Sequence, residues 1–356
     1  MRNEGAADKP HRYRVVQWGT GNVGARALRR AIEHPNLEVV GVYVYGPDKV
    51  GRDAGELAGI KSVGVKATNQ IEEVLKLKPD CVLYMPQYSN MDDVCRLLES
   101  GSNIVTTRTE FLNPESMDSQ IRERIESACR RGRTSLHSTG CSPGFVNEAL
   151  PLVLSSLQRR IDHLAINEFA DNSSRNSPQM LFEVMGFGEP PGRDLRPRLE
   201  HLRSAFGPSL ELIGKTWGLP LQRVDVSGGI GLARRDVKIA AGVVPKGTVA
   251  AMRTVVSGVR NDTELMSFTA TWFVSSDVDT DDGAQWDFRE SGWRLLLKGD
   301  VPLDVSITYP VAPENYADMT PGLTAHIPLN AVRVVCEAEP GIRTSVELPK
   351  IYPQFG

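Results

Sequence analysis

"WGTGNVGAR", residues 18–26, decides how the rest of this chain is read. Gly19, Gly21 and Gly24 stand in the arrangement GxGxxG. In that spacing the first glycine permits a tight turn, the second lets a pyrophosphate approach the backbone, and the third lets a helix pack closely on a strand. A helix starting there offers unpaired N–H groups and a partial positive charge to phosphates. With 32 glycines in 356 residues the triplet alone is a weak signal, so its context must carry it. The apolar run "YRVVQW" (13–18) precedes it, and the amphipathic "VGARALRRAIEHP" (23–35) follows. Strand, glycine turn, helix is the order a dinucleotide site requires. Thr20, Asn22 and Val23 complete the expected cofactor loop.

Outward from the loop, apolar strands alternate with helices to about residue 150. "LEVVGVYVY" (37–45) is β-branched and apolar on both faces, as a buried parallel strand should be. "QIEEVLKLK" (70–78) reads as a helix, with Asn69 and Glu72 spaced as a capping box. "DCVLYMP" (80–86), "NIVTT" (103–107) and "RTSLHS" (133–138) read as strands, and "MDDVCRLLESG" (91–101) as a helix. Asn113 and Pro114 suit the cap and first position of a long helix after residue 111. The alternation predicts an α/β chain: an N-terminal Rossmann parallel sheet covered by helices joined through right-handed crossovers. Beyond it, longer strands joined by turns predict a second α+β domain, with helical insertions near 177–187 and 200–218. "SGGIG" (227–231) reads as a turn, and "PGLTAHIPLNAVRVVCEAEPG" (321–341) as a helix between proline and glycine. The expected division is a flexible N-terminus (1–10), a dinucleotide-binding domain (11–148), a substrate and dimerisation domain (149–318), and a C-terminal helix and tail (319–356) returning to the first domain.

A net charge of −3 gives no electrostatic reason to expect nucleic acid. No apolar run is long enough to span a membrane, and "MRNEGAADKP" has no secretory character, so neither membrane nor export is expected. Five cysteines without a CxxC pair point to the cytoplasm, and the histidines never fall at metal-ligand spacing, so no metal is expected. The acid that binds the ribose of NAD should stand at the end of the second strand. "VYVYGPDKVGR" carries none at Tyr45 and offers Lys49 and Arg52 beyond it. NADP(H) is therefore preferred, NAD(H) remains usable, and a solvated loop is the competing reading of both cations.

"GRDAGELAG" (51–59), together with the glycine loop, resembles the nucleotide domain of dihydrodipicolinate reductases, and "NIVTTRTEF" aligns with their strand and loop approaching the nicotinamide. Their His-His segment and "KDAPSGTA"-type motif have no counterpart here. Over most of its length the chain resembles NAD(P)H-dependent amine dehydrogenases and 2,4-diaminopentanoate dehydrogenases, through "WGTGNVG", "TEF", "STGCSPGFVNEALP" (138–151) and "AAGVVPKGTVAAMR" (240–253). That resemblance implies reversible reductive amination of a small ketone or aldehyde with ammonia to a primary amine, usually in a homodimer. It gives Glu110 the role of activating ammonia and stabilising the iminium, with Phe111 and the neighbouring threonines supplying desolvation. A helix-start acid, or one paired with Arg108, is the competing reading.

Pro86, Thr106 and Thr107 are the further cofactor candidates, and Gly140, Cys141, Phe145, Asn167, Phe169 and Trp272 the candidates for the substrate pocket, with core packing the competing reading of the aromatics. His137 reads as structural. A diamine dehydrogenase would want another acid in the pocket, Glu168 or Glu183. A dihydrodipicolinate-reductase-like imine reductase and a nucleotide-sensing protein without chemistry are the remaining alternatives.

Overall fold

The structure, a computed structural model, describes residues 11–353; the first ten residues, expected to be flexible, lie outside that range. The chain forms two compact units, one running to Cys141 and resuming at Pro321, the other Ser142–Thr320. The first border thus falls ahead of residue 148. There the chain leaves its last buried strand for an irregular turn, in which Gly144 takes φ +118.

The first unit opens with β1 (Tyr13–Trp18), α1 (Asn22–Glu33), β2 (Leu37–Tyr43), α2 (Ala54–Leu57), β3 (Ala67–Thr68), α3 (Ile71–Leu77), β4 (Cys81–Tyr84), α4 (Met91–Glu99), β5 (Asn103–Thr106), α5 (Ser119–Gly132) and β6 (Ser135–Ser138). α1 is a helix because Ala27, Leu28 and Ala31 recur on one buried face while Arg29 and Arg30 pair with Glu33 on the other. Two helix starts differ from the sequence reading. No side chain caps α3, whose cap position is Gln70, and Asn69 accepts the Gln70 amide instead of closing a capping box with Glu72. Asn113 caps only a short 3₁₀ turn, Pro114–Ser116. Met117 is extended, so the long helix starts afresh behind Asp118, which accepts the N–H groups of Gln120 and Ile121.

The second unit holds α6 (Leu150–Ser155), β7 (Ile161–Asp171), α7 (Arg196–Thr216), β8 (Arg223–Ala233), β9 (Val237–Ile239), β10 (Gly242–Val244), β11 (Val249–Arg260), β12 (Thr263–Phe273), β13 (Val278–Thr280), β14 (Gly292–Gly299) and β15 (Leu303–Thr308). Its seven-stranded sheet runs β13-β8-β11-β12-β7-β14-β15, mixed because β7 and β12 are parallel while the other pairs are antiparallel. Phe206 of α7 stacks on Phe268 at 3.8 Å between centroids. "SGGIG" is not a turn but the middle of β8. A Cβ on Gly228 would lie 2.5 Å from the Arg253 carbonyl oxygen and 2.8 Å from Leu199 of α7, so the glycines serve close approach within the sheet.

α8 (Pro313–Cys336) begins before the expected proline and ends before the expected glycine; Gly341, at φ +139, opens a short β16 (Gly341–Arg343) that the sequence reading lacked. In the first unit Leu329, Val332 and Val335 join Val15, Ala27 and Leu83 in one core. That unit's sheet is entirely parallel, in the order β3-β2-β1-β4-β5-β6-β16. Register places Tyr43, Trp18, Tyr84, Thr106 and Ser138 in a row across its carboxyl edge. The order reverses between β1 and β4, the place where such sheets bind ligands.

Candidate functional site

The loops beyond that row build the site. After β1 the chain turns through Gly19 at φ +89, a region that glycine enters without steric cost. A Cβ on Gly19 would lie 2.8 Å from the Met85 carbonyl oxygen, and one on Gly24 would lie 2.2 Å from that of Gly19. A Cβ on Gly21 would meet nothing within 4 Å. Two of the three glycines are thus needed by the fold, and the middle one leaves open space above the backbone. Gln17, fully buried, donates from Nε2 to the Gly19 carbonyl at 2.9 Å and braces the turn. α1 starts at Gly21 with neither a side-chain cap nor an acid in its first turn. Its leading N–H groups, those of Asn22 and Val23 included, and its positive end remain for an anion. These residues fit a dinucleotide pyrophosphate.

At the end of β2, Tyr45 is 54% exposed and its hydroxyl accepts the Trp18 indole N–H at 2.9 Å. Lys49 is not simply solvated: its Nζ donates to the Thr20 carbonyl at 3.1 Å and lies 3.3 Å from Thr20 Oγ1, which brings a cation to the glycine loop. Arg52 is exposed and among the described residues pairs with Glu56, at 4.0 Å. Asp48 is exposed in the 3₁₀ turn Pro47–Lys49, and the next acid along, Asp53, is buried at the start of α2. The N–H groups of Val63, Gly55 and Gly64 hold its carboxyl down at about 2, so it is a cap and not a ribose acid. Pro86 is buried behind the Gly19 turn. Thr106 donates its hydroxyl to the Tyr84 carbonyl at 2.6 Å and serves the sheet edge, while Thr107 beside it is half-buried.

Glu110 lies in the 3₁₀ turn Thr109–Phe111 beyond β5, on the same carboxyl edge as the glycine loop. Its Oε1 accepts the Ser89 hydroxyl at 2.6 Å and Arg108 Nε at 3.1 Å, and its Oε2 faces Arg108 Nη2 at 3.1 Å. Arg108 is itself tied to the Gln87 carbonyl at 2.7 Å, and its own carbonyl accepts the Ser138 hydroxyl. The expected apolar lining is missing. Phe111 points into the core, fully buried, and the Glu110 side chain is 31% exposed. Among the described contacts three of the carboxylate's roughly four acceptor positions are used, leaving one on Oε2. Ser89 carried no signal of its own. It meets Glu110 because β4 and β5 are neighbours, so the loops that follow them lie side by side.

His137, in β6, is fully buried, with Nδ1 2.7 Å from the Arg343 carbonyl and Nε2 lacking a partner. Burial pushes its imidazole down to about 4, so it is a structural, neutral group. The unfolded chain takes up that proton at the ordinary 6.5, the native one not until about 4, so acid favours unfolding across that window. Stability should fall between pH 6.5 and 4, by up to roughly 3 kcal/mol from this one group. Urea midpoints at pH 7 and 5 check it. A His137→Gln chain that loses as much on acidification as the wild type would refute the assignment.

Gly140 and Cys141 close the first unit and are buried. In the second unit Phe145 is 42% exposed. Trp272 lines a cavity of about 500 Å³, together with Glu168 and Ala170 of β7. Asn167 and Phe169 alternate with these along the strand and are not among its walls; Asn167 donates to the Arg294 carbonyl, and the Arg289 guanidinium lies over the Phe169 ring. Glu168 accepts the indole N–H groups of Trp272 and Trp293, each at 2.9 Å, and the Ser142 hydroxyl at 2.6 Å. Glu183 is exposed and outside the cavity. Among the described residues, no group of three potential ligands is placed to hold a metal, and no helix is long and apolar enough to cross a membrane.

Residues 13–132 match the family model described as dihydrodipicolinate reductase, N-terminus. An amine dehydrogenase of Streptomyces virginiae is 36% identical over 183 residues, which is 49% of this chain and 51% of that protein, so the match spans about half the relative's length. A 4-hydroxy-tetrahydrodipicolinate reductase of Synechocystis is 22% identical over 54% of this chain and 73% of its own length. The amine dehydrogenase structure from Mycobacterium smegmatis superposes with a TM-score of 0.70 at 20% identity, covering 96% of this chain and 98% of that one. Residues 13–132 are therefore similar to the N-terminal domain of dihydrodipicolinate reductases, and the chain shares its fold with the amine dehydrogenase structure, in line with the resemblance to amine dehydrogenases drawn from its motifs.

Proposed function

We propose that this chain is an NAD(P)H-dependent amine dehydrogenase that interconverts a small ketone or aldehyde plus ammonia with the primary amine. The observation that carries the reading is the Glu110 carboxylate, gripped by Arg108 and Ser89 on the same sheet edge as the glycine loop. The nicotinamide cofactor supplies the hydride when bound. Gly19, Gly21, Gly24 and the start of α1 would hold its pyrophosphate. Ammonia must be delivered to the carbonyl carbon, water must leave, and the resulting iminium must be held while its carbon is reduced. The open acceptor position on Glu110 Oε2 suits each cationic nitrogen on that path: ammonium first, then the iminium, and in the oxidative direction the substrate ammonium. Arg108 and Ser89 fix the carboxylate's orientation, so it need not reorganise as charge develops.

NADP(H) is the preferred cofactor in this reading because Tyr43, Val44 and Tyr45 at the end of β2 carry no carboxylate and Lys49 reaches the loop. Lys49→Glu should lower the preference for NADPH over NADH by about 10- to 100-fold, the weight of one charge-assisted contact turned repulsive. Dissociation constants for both cofactors check it, and an unchanged ratio would make Lys49 only a brace for Thr20. The deciding assay is NADPH and NADH consumption over a panel of ketones, with and without concentrated ammonium at alkaline pH. Turnover that ignores ammonium would mean a carbonyl or preformed-imine reductase, and cofactor binding with no turnover would favour a sensor. The reading includes a cytoplasmic homodimer, which light scattering of the purified protein tests for its subunit number.

A further inference from the structure

The second unit's cavity has a charge balance that an apolar ketone would not explain. Arg198 of α7 and Arg175 both line it, and among the described residues neither has a carboxylate within ion-pairing distance. The other charged groups at its rim are already matched, Arg193 with Glu189 and Asp194 with Arg196. Glu168 does not neutralise the two guanidiniums: its oxygens accept from two indoles and a hydroxyl. Because Arg196, which lies outside the lining, takes up Asp194, two cations face one carboxylate and one positive charge is left uncompensated. Arg198 is held in place: it donates to the Met185 carbonyl at 3.1 Å, touches the Met252 sulfur, and lies 5.5 Å from the centre of the Trp272 ring. Burial pushes both guanidiniums down, Arg198 to about 10; a guanidinium keeps its charge in proteins, and a partly buried one is costly without an anion. Beside the polar Asn172 and His201, the remaining walls, from Met180, Val184, Ile230, Val249 and Met252 among others, are apolar.

We propose that this cavity binds a small amphiphilic carboxylate, its anion taken by Arg198 and Arg175 and its aliphatic body by the apolar walls. A monoanion fits better than a phosphate. One uncompensated positive charge matches one carboxylate, and a guanidinium fork meets its two oxygens in a plane. The inference rests on the second unit's being the substrate side of the enzyme proposed above, and makes that substrate an oxo acid or its amino acid.

The test is titration of the full chain with hexanoate, 1-hexanol, hexylamine and hexyl phosphate, followed by calorimetry and tryptophan fluorescence. Hexanoate should bind at least about tenfold more tightly than the others. Arg198→Met should remove that advantage and leave hexanol affinity unchanged, while Arg198→Lys, which keeps the charge should the methionine variant fail to fold, should retain most of it. Equal or tighter binding of hexanol, hexylamine or hexyl phosphate, or hexanoate binding indifferent to both variants, would overturn the proposal. Activity is read separately. Ammonium-dependent turnover of neutral ketones without hexanoate binding would discard the carboxylate and keep the reaction; hexanoate binding without turnover of any ketone or oxo acid would keep the subsite and discard the reaction.

Discussion

Glu110→Gln is expected to lower kcat/KM for ammonium-dependent NADPH oxidation by about 10²- to 10⁴-fold, the usual weight of a positioned proton-transfer group. The amide keeps the size of the side chain and removes the negative charge that cationic nitrogen would meet. Nucleotide affinity should not change, because among the described residues Glu110 is held by Ser89 and Arg108 while Lys49 bonds to Thr20. Stability should change little as well. The Arg108–Glu110 pair is about 30% exposed on both sides, and partly solvated pairs of this kind contribute roughly 0–1 kcal/mol. The measurement is steady-state turnover beside a melting curve and an NADPH titration. Full turnover in the variant would return Glu110 to the role of a surface ion pair, whereas lost turnover with a collapsed melting temperature would mark it as structural. Lost turnover with intact binding and melting is the catalytic signature.

The first unit was legible in its sequence because buried parallel strands are written as largely apolar runs: "CVLY" is unbroken, and "YRVVQW" and "LEVVGVY" are interrupted only by Arg14, Gln17 and Glu38. The second unit was legible only as a class. Its β8 hides in a glycine cluster, where Gly228 answers to Arg253 and Leu199, Gly229 to Asp281 and Gly231 to Val278, residues far away in the chain. β16 is three residues long and exists because β6 offers it an edge. α8 starts at Pro313 and runs on through Pro321 and Pro328, so the proline taken for its start lies inside it. The same division holds in the site. Gly19 and Gly24 answer to local backbone geometry and could be named from spacing. The grip of Ser89 on Glu110 depends on which strands are neighbours, and the matching of charges around Arg198 depends on every side chain near it. Neither leaves a pattern at any fixed interval in the sequence.

Substitution in the glycine loop should separate its two tasks, folding and binding. Gly24→Ala places a methyl 2.2 Å from the Gly19 carbonyl oxygen and 3.0 Å from its carbon, both backbone atoms that cannot rotate away. Relief requires α1 to lift off β1 or the Gly19 turn to open, and that turn is braced by Gln17 and by the Met85 carbonyl behind it. Overpacking of this kind costs about 1–3 kcal/mol or more, and it misplaces the N–H groups that would hold the pyrophosphate. The variant should therefore melt several degrees lower and lose nucleotide affinity by about 100-fold. Gly21→Ala meets no protein atom within 4 Å, so its melting curve should match the wild type. Its methyl stands where the pyrophosphate must approach, and its affinity for NADPH and NADH alike should fall by at least about tenfold. If Gly21→Ala binds both cofactors normally, the open space above that backbone is not a phosphate site, and the glycines serve only the contact of α1 with β1. If it loses both cofactors while melting normally, the space is occupied by the ligand itself, because no protein contact was there to lose.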